Sequence, residues 1–199
     1  MGPETLFDEI RAYLPPWLNS GKGKELFEQL KGFPSAEGFY STRNDLPDLM
    51  QGDAWSGLII TAASTSERKS TTGIVLSNTC DIAAQNKRDL APGIVFAPLI
   101  RLSGYLDRLK ASGKHSNEIS DKARAIRAQK ISNIVFLPEI PSMFPESIAL
   151  LDDLYTNDLL SFVASPRERR FALSNYGFYV FLIKISVHFT RVMDGVDRS

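Results

Sequence analysis

Three short β-rich runs, at residues 56–61, 73–77 and 93–99, follow one another across polar loops and are bounded by glycine and proline. Strands this brief, punctuated this often, predict a small, strongly curved antiparallel sheet or an SH3-like barrel. Residues 134–137 return to the sheet after a helical insertion over about 102–131, whose second half sets Ile119, Ala123 and Ile126 on one face. The expected fold class is therefore α+β.

Both ends of the chain predict helices. Leu6, Ile10 and Tyr13 share a helical face, Pro15 and Pro16 interrupt it, and Leu26, Phe27 and Leu30 resume the spacing. Residues 32–53 are rich in Gly, Pro, Ser, Asn and Asp and read as a connection. The division predicted is an N-terminal helical appendage with its connection, residues 1–51, and a barrel-like α+β domain, residues 52–199. Near the C-terminus, residues 159–164 and 169–173 read as a strand pair, and Ser174 then caps a helix. Phe178, Leu182, Ile185, Phe189 and Val192 recur at spacings of four and three and are predicted to form its core face. A competing reading makes Ser165, Pro166 and Glu168 a capping box that starts this helix nine residues earlier. Gly177 and the β-branched and aromatic run argue against it.

With 199 residues, 43% of them apolar, the chain can bury one good core. Its 23 basic and 23 acidic side chains cancel, so no overall positive excess drives it onto nucleic acid or anionic lipid. Charge is nevertheless uneven. Residues 101–130 carry eight Lys or Arg against three Asp or Glu, and residues 135–158 carry five acids and no base. Pairing between these blocks competes with nucleic-acid binding by the basic one, and overall neutrality favours the pairing. The single cysteine, Cys80, excludes an intrachain disulfide, and no cluster supplies zinc ligands. Residues 1–8 lack a signal-peptide pattern, and the longest apolar stretch, residues 178–183, is too short to span a bilayer. These features predict a cytoplasmic protein with no membrane association. Walker, dinucleotide, zinc-protease and nucleophile-elbow motifs are all missing, so no cofactor is expected.

The most unusual local sequence is Ser77-Asn78-Thr79-Cys80-Asp81, directly after a predicted strand, where a sheet can hold side chains at its rim. Cys80 as a nucleophile needs a nearby base or positive charge, and Asp81 alone opposes a second negative charge. His188 is the distant candidate for that help. The competing reading has Asn78 and Asp81 hydrogen-bond to local backbone, Asp81 pair with Arg170 or Arg191, and Cys80 fill core space. Lys184, His188 and Arg191, spaced four and three apart, form a helical stripe able to meet phosphate. A solvated helix edge, favoured by the helix dipole, explains the same stripe.

The order Gly52-Asp53-Ala54-Trp55, then Gly73-Ile74-Val75-Leu76-Ser77, then Ile94-Val95-Phe96-Ala97-Pro98-Leu99 resembles the small barrel of PemK/MazF-type toxins over about residues 52–100. That family shows a G-D-x-W-like opening, a strand ending in V-L-S and a later strand ending in A-P-L. The resemblance implies an SH3-like barrel, frequently dimeric, acting as a sequence-specific endoribonuclease of a toxin–antitoxin system. Family members place Arg-Pro just before the V-L-S strand and a threonine or serine just after the A-P strand. Here those places hold Thr72-Gly73 and Ile100-Arg101, with Arg68 and Lys69 the nearest upstream bases and Ser103 the first later hydroxyl. The segment at residues 77–82 also resembles a signature of uncharacterised bacterial proteins of this general size.

The first functional expectation is a toxin-like or defence-associated RNA-binding protein with metal-independent cleavage. Arg68, Lys69 and Arg101 would handle phosphate, and Cys80, Asp81 and Asn78 would line the site. The second is a catalytically inert subunit that binds a cognate protein partner through its helical additions and charge blocks. The third, a Cys80-dependent enzyme or redox sensor, requires an exposed and activated thiol.

Overall fold

The computed structural model describes residues 38–43, 49–62, 65–83, 85–86, 89–90 and 92–190. The expected N-terminal helices, Arg191 and Val192 lie outside these residues.

Strands β1 (Ala54–Thr61), β2 (Arg68–Val75), β3 (Gly93–Arg101), β4 (Ile134–Leu137), β5 (Ser147–Leu150), β6 (Tyr155–Asp158) and β7 (Arg169–Phe171) build one seven-stranded antiparallel sheet. The order is β4-β5-β3-β2-β1-β7, and β6 also pairs with β3. The sheet is open, so the antiparallel sheet is formed and the closed barrel is not. β3 is its hub, because Phe96 pairs with Val75 on one side and Tyr155 on the other, while Arg101 pairs with Ser147 farther along.

β2 begins five residues before the apolar run that predicts it. Residues Arg68 to Thr72 are polar because this arm of the β1–β2 hairpin runs past the core, and only Gly73 to Val75 are buried. β1 carries a bulge between Trp55 and Leu58, where Gly57 adopts φ +85°. β5 and β6 form in the acidic segment, where the sequence predicts no strand.

The expected insertion is two helices, α2 (Leu102–Ala111) and α3 (Ser116–Arg127), following the short α1 (Thr79–Ile82). Leu102 and Ile126 anchor them against Ile134, Phe136 and Ile148. The basic and acidic blocks meet through Arg127, whose guanidinium donates to both carboxylate oxygens of Glu146 at 2.8 and 2.7 Å.

Residues 159–164 are a helix, α4 (Leu159–Ala164), and not the strand their composition predicts. Asp158 caps it by accepting from Ser161 N–H at 2.7 Å, and of its apolar side chains Phe162 is buried while Leu160 and Val163 are exposed. The last helix, α5 (Asn175–Thr190), starts where Ser174 predicts, with Ser174 Oγ accepting from Gly177 N–H at 3.1 Å. Its buried face is different from the expected one. Gly177, Val180, Phe181 and Lys184 face the core beside Phe39, Ile74 and Phe171, whereas Phe178, Leu182 and Ile185 are half-buried and Phe189 is 54% exposed. A helix apolar on nearly every side carries no sequence signal for which face packs.

Candidate functional site

Five strands contribute to one open cleft of about 290 Å³. Leu99 and Arg101 alternate onto the same face of β3, Ser147 faces Arg101 in register from β5, and Thr72, Ser56 and Arg170 come from β2, β1 and β7. Met143, 67% exposed, and Pro145 form the rim. Ser147 is buried and donates to Pro145 O at 2.9 Å, which ties the rim loop to the sheet.

Arg101 is exposed and makes no ion pair among the described residues. Arg170 is half-buried and held by Glu168, Nη1 to Oε2 at 2.7 Å. Glu168 is fixed in turn, because Ser56 N–H donates to its carbonyl at 2.9 Å and its own N–H donates to Ser56 Oγ at 3.2 Å. The cleft therefore presents two planar guanidinium groups and a threonine hydroxyl, a donor set suited to a phosphate. No imidazole or carboxylate is among the residues lining it, and the carboxylate beside it, that of Glu168, is engaged by Arg170.

Successive side chains of a strand point to opposite faces, and Arg169 is accordingly used differently from Arg170. It lies over the Trp55 ring, 5.0 Å from its centroid, with Nε 3.0 Å from Asp53 Oδ2. That is close enough to pair in charge. Arg167 approaches the same ring at 5.7 Å and that of Phe162 at 5.6 Å. Asp53 and Trp55 of the G-D-x-W opening thus hold β7 against β1 and thereby place Arg170.

Asp53 is 1% exposed, and burial pushes its carboxyl up to about 6, while the Arg169 charge and a backbone hydrogen bond from Met50 pull the other way. Between about pH 4 and 6 the folded state holds a proton that the unfolded chain has released, so this group's contribution to stability falls as pH rises through that window. The rise from an ordinary aspartate value corresponds to about 3 kcal/mol. The unfolding free energy of the wild type relative to Asp53→Asn, measured by urea denaturation, should therefore fall by up to about 3 kcal/mol from pH 4 to pH 7. A pH-independent difference would contradict it.

The other predicted site residues do not join this cleft. Arg68 lines a second cavity of about 450 Å³ with Tyr155, Asn157, Asp158 and Ser161, and Lys69 beside it is exposed opposite Ile60. Arg68 and Arg101, expected to act together, are thus in different cavities. The segment after β2 uses its polar groups on local backbone. Asn78 Oδ1 accepts from Cys80 N–H at 2.9 Å, Asn86 donates to Cys80 O at 2.8 Å, and Ser77 Oγ accepts from Val95 N–H at 2.8 Å. Cys80 is exposed, which corrects its expected place in the core, and neither it nor Asp81 lines either cavity.

Lys184 is 6% exposed and faces inward, which corrects its place on a phosphate-facing stripe. Its ammonium donates to Gln129 O at 3.1 Å and to Ile131 O, and burial pulls its pKa down to about 8. His188 is half-buried with its ring against Phe189, and Arg191 lies outside the described residues. Among the described residues no group of three His, Cys, Asp or Glu side chains is placed to hold a metal ion, and no helix is long and apolar enough to cross a membrane.

Sequence reasoning missed Thr72, Ser147, Arg170, Tyr155 and Asp158 as site residues. The consecutive pair Arg169-Arg170 on a predicted strand was the available signal, since alternation sends one of them away from the side that holds the other. No family model matches the chain, and no curated protein matches it.

Proposed function

We propose that this is a toxin-like RNA-binding protein that grips a phosphodiester of single-stranded RNA between Arg101 and Arg170. The observation that carries this reading is Arg101, exposed over a cleft that also holds Arg170 and the Thr72 hydroxyl. Guanidinium pairs recognise phosphate bidentately, and in a chain of zero net charge such recognition is local. The resemblance to PemK/MazF-type toxins supports RNA as the carrier of that phosphate. At the two places where this chain departs from that pattern, Thr72-Gly73 stands where the family has Arg-Pro and Ile100-Arg101 where it has a threonine or serine. Thr72 and Arg101 line the same cleft.

Cleavage needs a base that the cleft lining lacks, so binding without rapid hydrolysis is the expected behaviour. The test is a mixed-sequence single-stranded RNA incubated with wild type, Arg101→Ala and Cys80→Ala in the presence of chelator. Binding by gel shift and integrity of the RNA are read together. Retained binding in Cys80→Ala and lost binding in Arg101→Ala are expected, with the RNA intact. Cleavage abolished by Arg101→Ala would make the protein a metal-independent endoribonuclease. Folded wild type that binds no RNA would overturn the proposal in favour of a protein-interaction subunit, for which the half-exposed Phe178, Leu182, Ile185 and Phe189 face of α5 is the candidate surface.

A further inference from the structure

We infer that the second cavity, at the open seam of the sheet, recognises a guanine base; this rests on the RNA-binding reading above. The pairs β1–β2, β2–β3 and β3–β6 are all antiparallel, so β1 and β6 face each other antiparallel across the seam. No backbone ladder joins them. Asn157 does so instead, its side-chain oxygen accepting from Ile59 N–H at 2.7 Å and its amide nitrogen donating to Ile59 O at 2.8 Å. One side chain thus imitates a strand and holds the seam at a fixed width.

The seam has two chemically different ends. With Asn157 opposite Ile59, Thr61 and its hairpin partner Arg68 lie toward Tyr155, and Gly57 lies toward Asp158 and Ser161. Arg68 offers only donors, and the Asp158 carboxylate only acceptors. Ser161 holds that carboxylate below its usual range through its hydrogen bond, so it is ionised at neutral pH. A ligand lying between them must present acceptors at one end and donors at the other. Guanine alone among the bases joins two donors, N1–H and the N2 amino group, to two acceptors, O6 and N7, and arginine binds the latter pair bidentately.

Tyr155 and Phe162 supply aromatic lining, and a volume of about 450 Å³ is within the range of small-ligand sites. Arg68 and Thr72 are four residues apart on β2, about 13 Å at the strand rise. A short oligonucleotide can bridge that span, with its phosphate at Arg101 and its base at Arg68.

The experiment titrates guanosine, adenosine, cytidine and uridine 5′-monophosphates into the wild type and into Asp158→Asn, Arg68→Gln and Arg101→Ala, followed by amide chemical shifts. Asparagine remains a good helix cap, so Asp158→Asn keeps α4 while removing the paired acceptors. The expected result is about tenfold tighter binding of the guanosine nucleotide than of the others, with shifts centred on residues 155–161. That preference should vanish in Asp158→Asn and Arg68→Gln and persist in Arg101→Ala. Equal binding of all four nucleotides, no binding at millimolar concentration, or a preference that survives Asp158→Asn would overturn the inference. A mixed-sequence, guanosine-containing oligonucleotide titrated in parallel separates the two proposals. If it binds while the mononucleotides are not distinguished, the base site fails and RNA binding stands. If guanosine preference is seen with no oligonucleotide binding, the site stands and the RNA reading fails.

Discussion

Replacing Gly177 with alanine is expected to lower the unfolding free energy by about 3 kcal/mol, a large share of a typical domain's stability. A β-carbon at Gly177 would lie 2.2 Å from the Phe39 carbonyl oxygen and 3.3 Å from Leu173 Cδ2. The obstacle is backbone that is fixed on both sides. Phe39 O accepts from Ser174 N–H at 3.1 Å, Ser41 N–H donates to Ala172 O at 2.9 Å, and Tyr40 bridges to Leu173. The Phe39 ring is fully buried against Tyr176, so the segment cannot retreat without opening the core. Alanine is the better helix former by about 1 kcal/mol, but that gain is smaller than the cost of the clash. Gly104→Ala supplies the control. It sits on α2 with nothing within 4 Å of an added β-carbon and should stabilise by up to about 1 kcal/mol. Urea midpoints with unchanged m-values measure both, and a Gly177→Ala protein as stable as wild type would show that α5 does not pack as described.

The same helix shows where sequence information ran out. Ser174 marked its start because a cap is a local device, read from one side chain and the backbone beside it. Its core face could not be read, since Gly177 contributes by lacking a side chain and Lys184 is buried by carbonyls more than fifty residues away in sequence. Local apolar runs likewise revealed β1, β3 and β4, and the insertion was legible from Ile119, Ala123 and Ile126. β5 and β6 are four residues each, too short for alternation to show, and the polar end of β2 is stabilised by its hairpin partner rather than by burial. Leu159 to Ala164 is composed like a strand, yet it forms a helix whose first turn Asp158 caps. For the site, Arg68 and Arg101 were legible as bases beside strands. Their separation into two cavities was not, because it depends on β6 and β7, which the apolar patterning hid or left without a pairing partner.

Removing both guanidinium groups from the cleft, Arg101→Ala with Arg170→Ala, should weaken single-stranded RNA binding by roughly a hundredfold or more, at about 1.5 kcal/mol or more for each charge-assisted hydrogen bond removed. Both side chains reach solvent, Arg101 as an exposed residue and Arg170 in part, so the fold should survive, with circular dichroism as the check. The slope of log affinity against log salt should also fall, by about 0.7 for each phosphate no longer neutralised. Charge and shape can be separated at Arg101. Lysine keeps the charge and loses the planar fork, so Arg101→Lys should retain most of the salt slope while recovering only part of the affinity. Thr72→Val removes a neutral donor and should cost only a few-fold, about 1 kcal/mol. If the double variant binds RNA with unchanged affinity and slope, the phosphate grip is elsewhere. Arg68, Lys69 and the basic residues Arg108 and Lys110 of α2 then become the next to replace, because they are positive groups outside the cleft.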